Sequence, residues 1–185
     1  MLRDTRGDGS EARVMIVGIG NDLVADDGVG LHAVRALRRT VTDPRVRCAE
    51  SERGGLDLLE LLNGADAAVI IDAARTGKRP PGCISTFALQ KPFTPGTVPS
   101  LHALSIDAVL SLGAAAGAPL PGEVILFTVE AEDIESFGAG CTDRVGAAIP
   151  RVVTLVQDEL RLLLPDPPCR AELAEERNTM QTPEA

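Results

Sequence analysis

A chain of 185 residues has the length of one domain, enough to bury a core without disulfides or a structural metal. Its composition, 44% hydrophobic and 24% charged, is that of a soluble globular protein, and with neither Trp nor Tyr the core has to be aliphatic. A formal net charge of -9 and a pI near 4.7 argue against a nucleic-acid partner, because no basic field replaces the counterions around phosphates.

In chain order, residues 1–12 read as a disordered lead, polar and without the apolar segment of a signal peptide. RVMIVG (13–18) reads as a strand and GVGLHAVRALRRT (28–40) as a helix, followed by a strand near 45–51 and a helix over 55–64. DAAVIID (66–72) and CISTFAL (83–89) are strands, SLHALSIDAVLSLGAAAG (100–117) a helix, EVILFTVE (123–130) a strand and 143–164 a helix. Residues 166–185 read as a loose tail, which leaves 13–165 as a single α/β domain. Buried strands alternating with helices imply a mostly parallel sheet covered on both faces. The link AARTGKRPPG after Asp72 is too short for a crossover helix, so the 83–89 strand is expected to run antiparallel. That gives five strands, one of them reversed. No run approaches the length of a membrane span. Four scattered cysteines, Cys48, Cys83, Cys141 and Cys169, form no CxxC pair and suit the reducing cytoplasm.

In open α/β sheets ligands gather beyond the carboxyl ends of the strands, where three residues stand out. Asp27 follows the first strand in GIGNDLVADDGVG, Asp72 closes Val69-Ile70-Ile71, and His102 follows Ser100, the expected N-cap of a helix over 101–116. Each has a plain structural reading. Asp26 or Asp27 can cap the following helix, and Asp72 can take the amides of Ala73, Ala74 or Arg75, or pair with Arg75. A lone histidine is often structural. His32, beside Arg35, Arg38 and Arg39, is expected on a solvated basic face and is left out of the set. Two oxygen donors and one nitrogen suit a borderline divalent ion such as nickel, zinc or cobalt. A nucleotide reading of the loop fails, since Leu23 stands where the dinucleotide fingerprint wants glycine and the acids at 26 and 27 repel pyrophosphate.

GIGNDLVADDGVGLHAVRAL, GGLDLLELLNGADAAVIIDA (54–73), SLHALSIDAVLSL (100–112) and VEAEDIESFGAGCTDRVGAAIPRVV (129–153) resemble, in order, four sequence blocks of the nickel-iron hydrogenase maturation endopeptidases. The resemblance implies a three-layer α/β/α sandwich with a five-stranded, mostly parallel sheet and one antiparallel strand. It further implies an endopeptidase that removes the C-terminal extension of a hydrogenase large-subunit precursor after nickel insertion. Asp27, Asp72 and His102 would be the ligands of a nickel supplied by that substrate and not tightly held by the free enzyme, with Asp27 and Asp72 also the catalytic pair. Gly140-Cys141-Thr142-Asp143 departs from the Leu-Ser-Pro-like stretch of many members. Asp26 is expected to cap locally while Asp27 faces a cation, and Gly54-Gly55 to admit an extended substrate. The expected setting is a cytoplasmic monomer with no membrane or nucleic-acid partner. Two other classes compete: a non-catalytic nickel carrier or assembly chaperone, and a small-molecule hydrolase or phosphorylase with Arg75 and Lys78 as its nearest phosphate ligands.

Overall fold

The apolar run that opens the folded body forms β1 (Val14–Ile19), buried along its whole length, as a strand without polar alternation has to be when both sheet faces are covered. In chain order there follow a 3-10 turn (Ala25–Gly28), α1 (Val29–Thr40), β2 (Val46–Ser51), α2 (Asp57–Leu61), β3 (Ala67–Ala74), β4 (Ile84–Gln90), α3 (Ile106–Ala115), β5 (Glu123–Glu130), α4 (Asp143–Gly146) and α5 (Ile149–Leu163). The computed structural model describes residues 13–164 apart from 53, 97, 100–104 and 139. The lead expected over 1–12, the tail expected over 166–185 and His102 lie outside the described residues.

The strands form one sheet in the order β2-β1-β3-β5-β4. The first four run parallel and β4 runs antiparallel to β5. The reversal expected from the short link after β3 is therefore present. Side-chain alternation along each strand feeds two separate layers. Val14 and Ile16 join Ala33 and Leu37 of α1 and Val152 and Val156 of α5 on one face. Met15, Val17 and Ile19 join Leu58 of α2 and Ile106 and Leu110 of α3 on the other. Every fully buried Leu, Ile or Val in these layers contributes about 2 kcal/mol by its removal from water. The result is a three-layer α/β/α sandwich.

Three boundaries differ from the sequence-based expectation, each for a local reason. The last helix is broken between Gly146 and Ile149, because Pro150 has no N–H for a helix running through it and fits only the first turn. The helix expected from 100 begins at Ile106, with Ser105 and not Ser100 as its N-cap residue. Here the buried Asp107 carboxylate collects the N–H groups of Val98 (3.2 Å) and Ala108 (2.9 Å) and the Ser105 hydroxyl, which fixes where the helix starts. β3 runs two residues beyond Asp72, to Ala74, because Asp72, Ala73 and Ala74 still pair with Thr128, Val129 and Glu130 of β5. Among the described residues no helix is long and apolar enough to cross a membrane.

Candidate active site

β1 pairs with β3 only as far as Gly18 and Ile71, while it stays paired with β2 to Ile19 and Ser51. The chain thus leaves β1 on one side toward β2, and β3 lies on the other, which makes the gap above β1 and β3 the crevice where an open α/β sheet binds its ligands. Glycines close that gap tightly. A side chain at Gly30 would put its Cβ 2.3 Å from the Ile19 carbonyl oxygen and 2.4 Å from that of Ile71, and one at Gly18 would lie 2.2 Å from the Gly30 oxygen. The first turn of α1 is therefore wedged against the backbone where the two strands part. Gly20, at φ 144°, turns the chain back so that it touches the Asp27 carbonyl. Packing and turning account for these glycines without a phosphate.

The two acids of the 3-10 turn have different environments. Asp26 is fully buried. Its carboxylate accepts the N–H groups of Glu132 (2.8 Å), Asp133 (2.9 Å) and Thr142 (2.7 Å) and the Thr142 hydroxyl (3.1 Å). The expected local capping role is corrected by these contacts: Asp26 ties the loop after β1 to the loop after β5, and no side-chain cap is made at α1. Asp27 is half-buried, and its carboxylate makes no hydrogen bond or ion pair among the described residues. The turn that carries it packs on β3.

Asp72 lies in β3 with no exposed surface. It stands one residue past the last β1 pairing, and its side chain falls on the α2/α3 side of the sheet, opposite the neighbours Ile71 and Ala73. Its Oδ1 accepts the Ala73 N–H at 2.8 Å, so the amide contact expected on structural grounds is present. Pairing with Arg75 is not, because Arg75 bonds Glu135 at 3.1 Å. The turn that carries Asp27 thus packs on the strand that carries Asp72, from positions 45 apart in the chain. Among the described residues no three of His, Cys, Asp and Glu form a metal-ligand cluster, His102 being outside them.

Two buried polar residues of β5, in register with the end of β3, have little signal in the local sequence. Thr128 is buried and in register with Asp72. Glu130 is buried and holds the loop after β3 by accepting the N–H groups of Thr76 and Gly77 and the Thr76 hydroxyl, each at 2.8 Å. Their only trace in sequence is a polar pair at the end of an apolar strand. The basic face expected around His32 is largely neutralised: Arg35 lies 2.6 Å from both Asp22 and Glu50, and Arg38 bonds Glu50 and the Cys48 carbonyl. His32 Nε2 is 3.9 Å from Asp22 Oδ1. Burial, and after it the charges of Asp26 and Asp22, push the Cys141 thiol up to about 11, which disfavours a nucleophilic role near neutral pH. Gly54 takes a left-handed φ of 64° and donates its N–H to Ser51 Oγ at 3.2 Å.

Comparison with known proteins adds a common description. A family model described as hydrogenase maturation protease matches residues 31–159, a segment that contains Asp72 and starts just after the glycine loop. The chain is 29% identical over 154 residues to the hydrogenase expression/formation protein HupD of Thiocapsa roseopersicina, covering 82% of this chain and 69% of that one. It is 32% identical over 138 residues to the corresponding protein HoxM of Azotobacter vinelandii, covering 74% of this chain and 66% of that one. The chain thus spans about two thirds of the length of these relatives. Among solved structures it is similar to the hydrogenase maturating endopeptidase HybD from Escherichia coli, with a TM-score of 0.65 and 25% identity over 80% of this chain and 92% of that one.

Proposed function

The chain belongs to the hydrogenase maturation protease family, and from that premise we propose that it removes the C-terminal extension of a nickel-iron hydrogenase large-subunit precursor once nickel has been inserted. The nickel is part of the substrate. Asp27, Asp72 and His102 complete its coordination when the precursor docks, so cleavage is conditional on a loaded metal centre. The observation that carries this reading is the buried Asp72 carboxylate at the parting of β1 and β3, with the Asp27 turn packed on the same strand.

In the cleavage step a water oxygen attacks the scissile carbonyl, a carboxylate takes the water proton, and that proton passes to the leaving amine nitrogen. Asp27 is the better placed to accept it, being half-buried and without a described hydrogen-bond partner. Asp72, held by the Ala73 amide, orients the metal-bearing substrate. A substrate-borne nickel would lower the pKa of a bound water and polarise the carbonyl.

Mass measurement of nickel-loaded and nickel-free precursor, each incubated with the protein, tests the reading. Loss of the extension is expected for the loaded precursor alone. Asp72→Asn is expected to slow that loss at least about a hundredfold, with a melting temperature close to that of the wild type. Equal cleavage of both precursors would remove the nickel gate. Tight nickel binding without any change in precursor mass would favour the carrier reading instead, and an unfolded Asp72→Asn variant would leave Asp72 a purely structural residue.

A further inference from the structure

β4 is the edge of the sheet, bonded to β5 on one side and to no other strand among the described residues. Its sequence, ISTFALQ, has seven residues without a charge or a proline, two of the devices by which edge strands are blunted against further pairing. The Glu130 N–H donates to the Cys83 carbonyl at 2.9 Å. In an antiparallel ladder this sets the alternation: Ser85, Phe87 and Leu89 turn their backbone groups toward β5, and Thr86, Ala88 and Gln90 turn theirs outward.

A groove of about 450 Å³ runs along this strand, lined by Thr86, Phe87, Ala88, Leu89 and Gln90. A groove on one face of a sheet touches alternate residues only, so five consecutive lining residues mean that it opens onto the edge. A second cleft, of about 410 Å³, touches Ser85, Thr128 and Glu130 and shares Val98 with the first. Ser85 is in register with Thr128, and Thr128 with Asp72. The second cleft thus reaches the level of the sheet that carries Asp72, and at Val98 it adjoins the groove along the open edge.

We propose that the C-terminal extension of the precursor binds by adding to β4 as a sixth strand, running parallel to it from the Ile84 end toward Gln90. This rests on the peptidase reading and specifies how that site takes its substrate. The direction follows from topology. The catalytic crevice lies at the Ile84 end, so a chain cut there and continuing down the edge runs with β4. The added strand stands three strand spacings, roughly 14 Å, from Asp72, a gap that about four extended residues cross. Main-chain pairing supplies the affinity and depends little on tail sequence.

The test uses the full-length protein, a nickel-loaded precursor that it cleaves, and synthetic copies of that precursor's extension as inhibitors of cleavage. A series with one backbone N-methyl group at each successive position is expected to alternate. Methylation of the edge-facing N–H groups weakens inhibition about tenfold or more, and methylation between them changes little. The pattern starts about four residues beyond the cut. Ala88→Pro, which removes an outward N–H and no ladder bond, is expected to raise KM about tenfold with little change in kcat. The peptide series, run on the wild type, decides alone if that variant fails to fold. A flat series, or an unchanged KM in folded Ala88→Pro, overturns strand addition while the peptidase reading stands. A sixth strand supplied by a second copy of this chain, seen as a dimer that the peptide does not dissociate, also overturns it. No cleavage of loaded precursor by the wild type overturns both readings.

Discussion

Asp26 and Asp27 are neighbours of one type, and nothing within ten residues of them in sequence says which is structural. The distinction lies in Glu132, Asp133 and Thr142, whose amides reach Asp26 from 106 to 116 positions away. Removing that carboxylate, which has no exposed surface, leaves three N–H donors and a hydroxyl without their acceptor. Asp26→Ala is accordingly expected to cost about 3 kcal/mol of stability, measured as a lower denaturant midpoint at constant m-value. Asp27→Ala, which breaks no described hydrogen bond, should leave that midpoint nearly unchanged. Asp72 was easier to single out from sequence, because an acid that abuts Val69-Ile70-Ile71 is conspicuous in any strand. Glu130 was not, since it is defined by groups that only the folded chain brings near.

At the scale of elements, periodicity gave all five strands, and the reversal of β4 followed from a link of ten residues that cannot hold a crossover helix. Strand order was not legible, because hydrophobic runs carry no information about which neighbour they pair with. Helix ends were misplaced where one residue outweighs the pattern, Pro150 at α5 and Asp107 at α3. α1 meets the parting strands with no room for a side chain at Gly30. Gly30→Ala places a methyl carbon within 2.4 Å of two carbonyl oxygens, far inside contact distance, so the helix has to move away from β1 and β3. A loss of about 3 kcal/mol is expected. Precursor processing should fall by more than the unfolded fraction explains, since the same movement displaces the Asp27 turn. An assay well below the melting temperature separates the two effects.

Across the whole molecule the two apolar layers are not independent, since alternate residues of the same strands supply both: Val14 and Ile16 one, Met15 and Val17 the other. Neither layer can melt without carrying the sheet with it, which predicts a single cooperative transition. With no Trp or Tyr in the chain, the check is far-UV circular dichroism against alkylation of Cys48, which packs on the α1/α5 layer, read peptide by peptide. Coincident midpoints are expected, and two separated midpoints would mean that the layers unfold apart.

The pairing of β1 with β3 has a consequence for the life of the chain before it is folded. The turn that carries Asp27 meets the strand that carries Asp72 only after strands that are not consecutive in sequence have docked, a step that comes late because long loops have to close first. A chain still on the ribosome or partly unfolded offers two isolated acids, each too weak to sequester a divalent ion from the cell. On the proposed function, competence to meet the substrate's metal centre is thereby a property that the protein acquires with its native sheet and loses on unfolding.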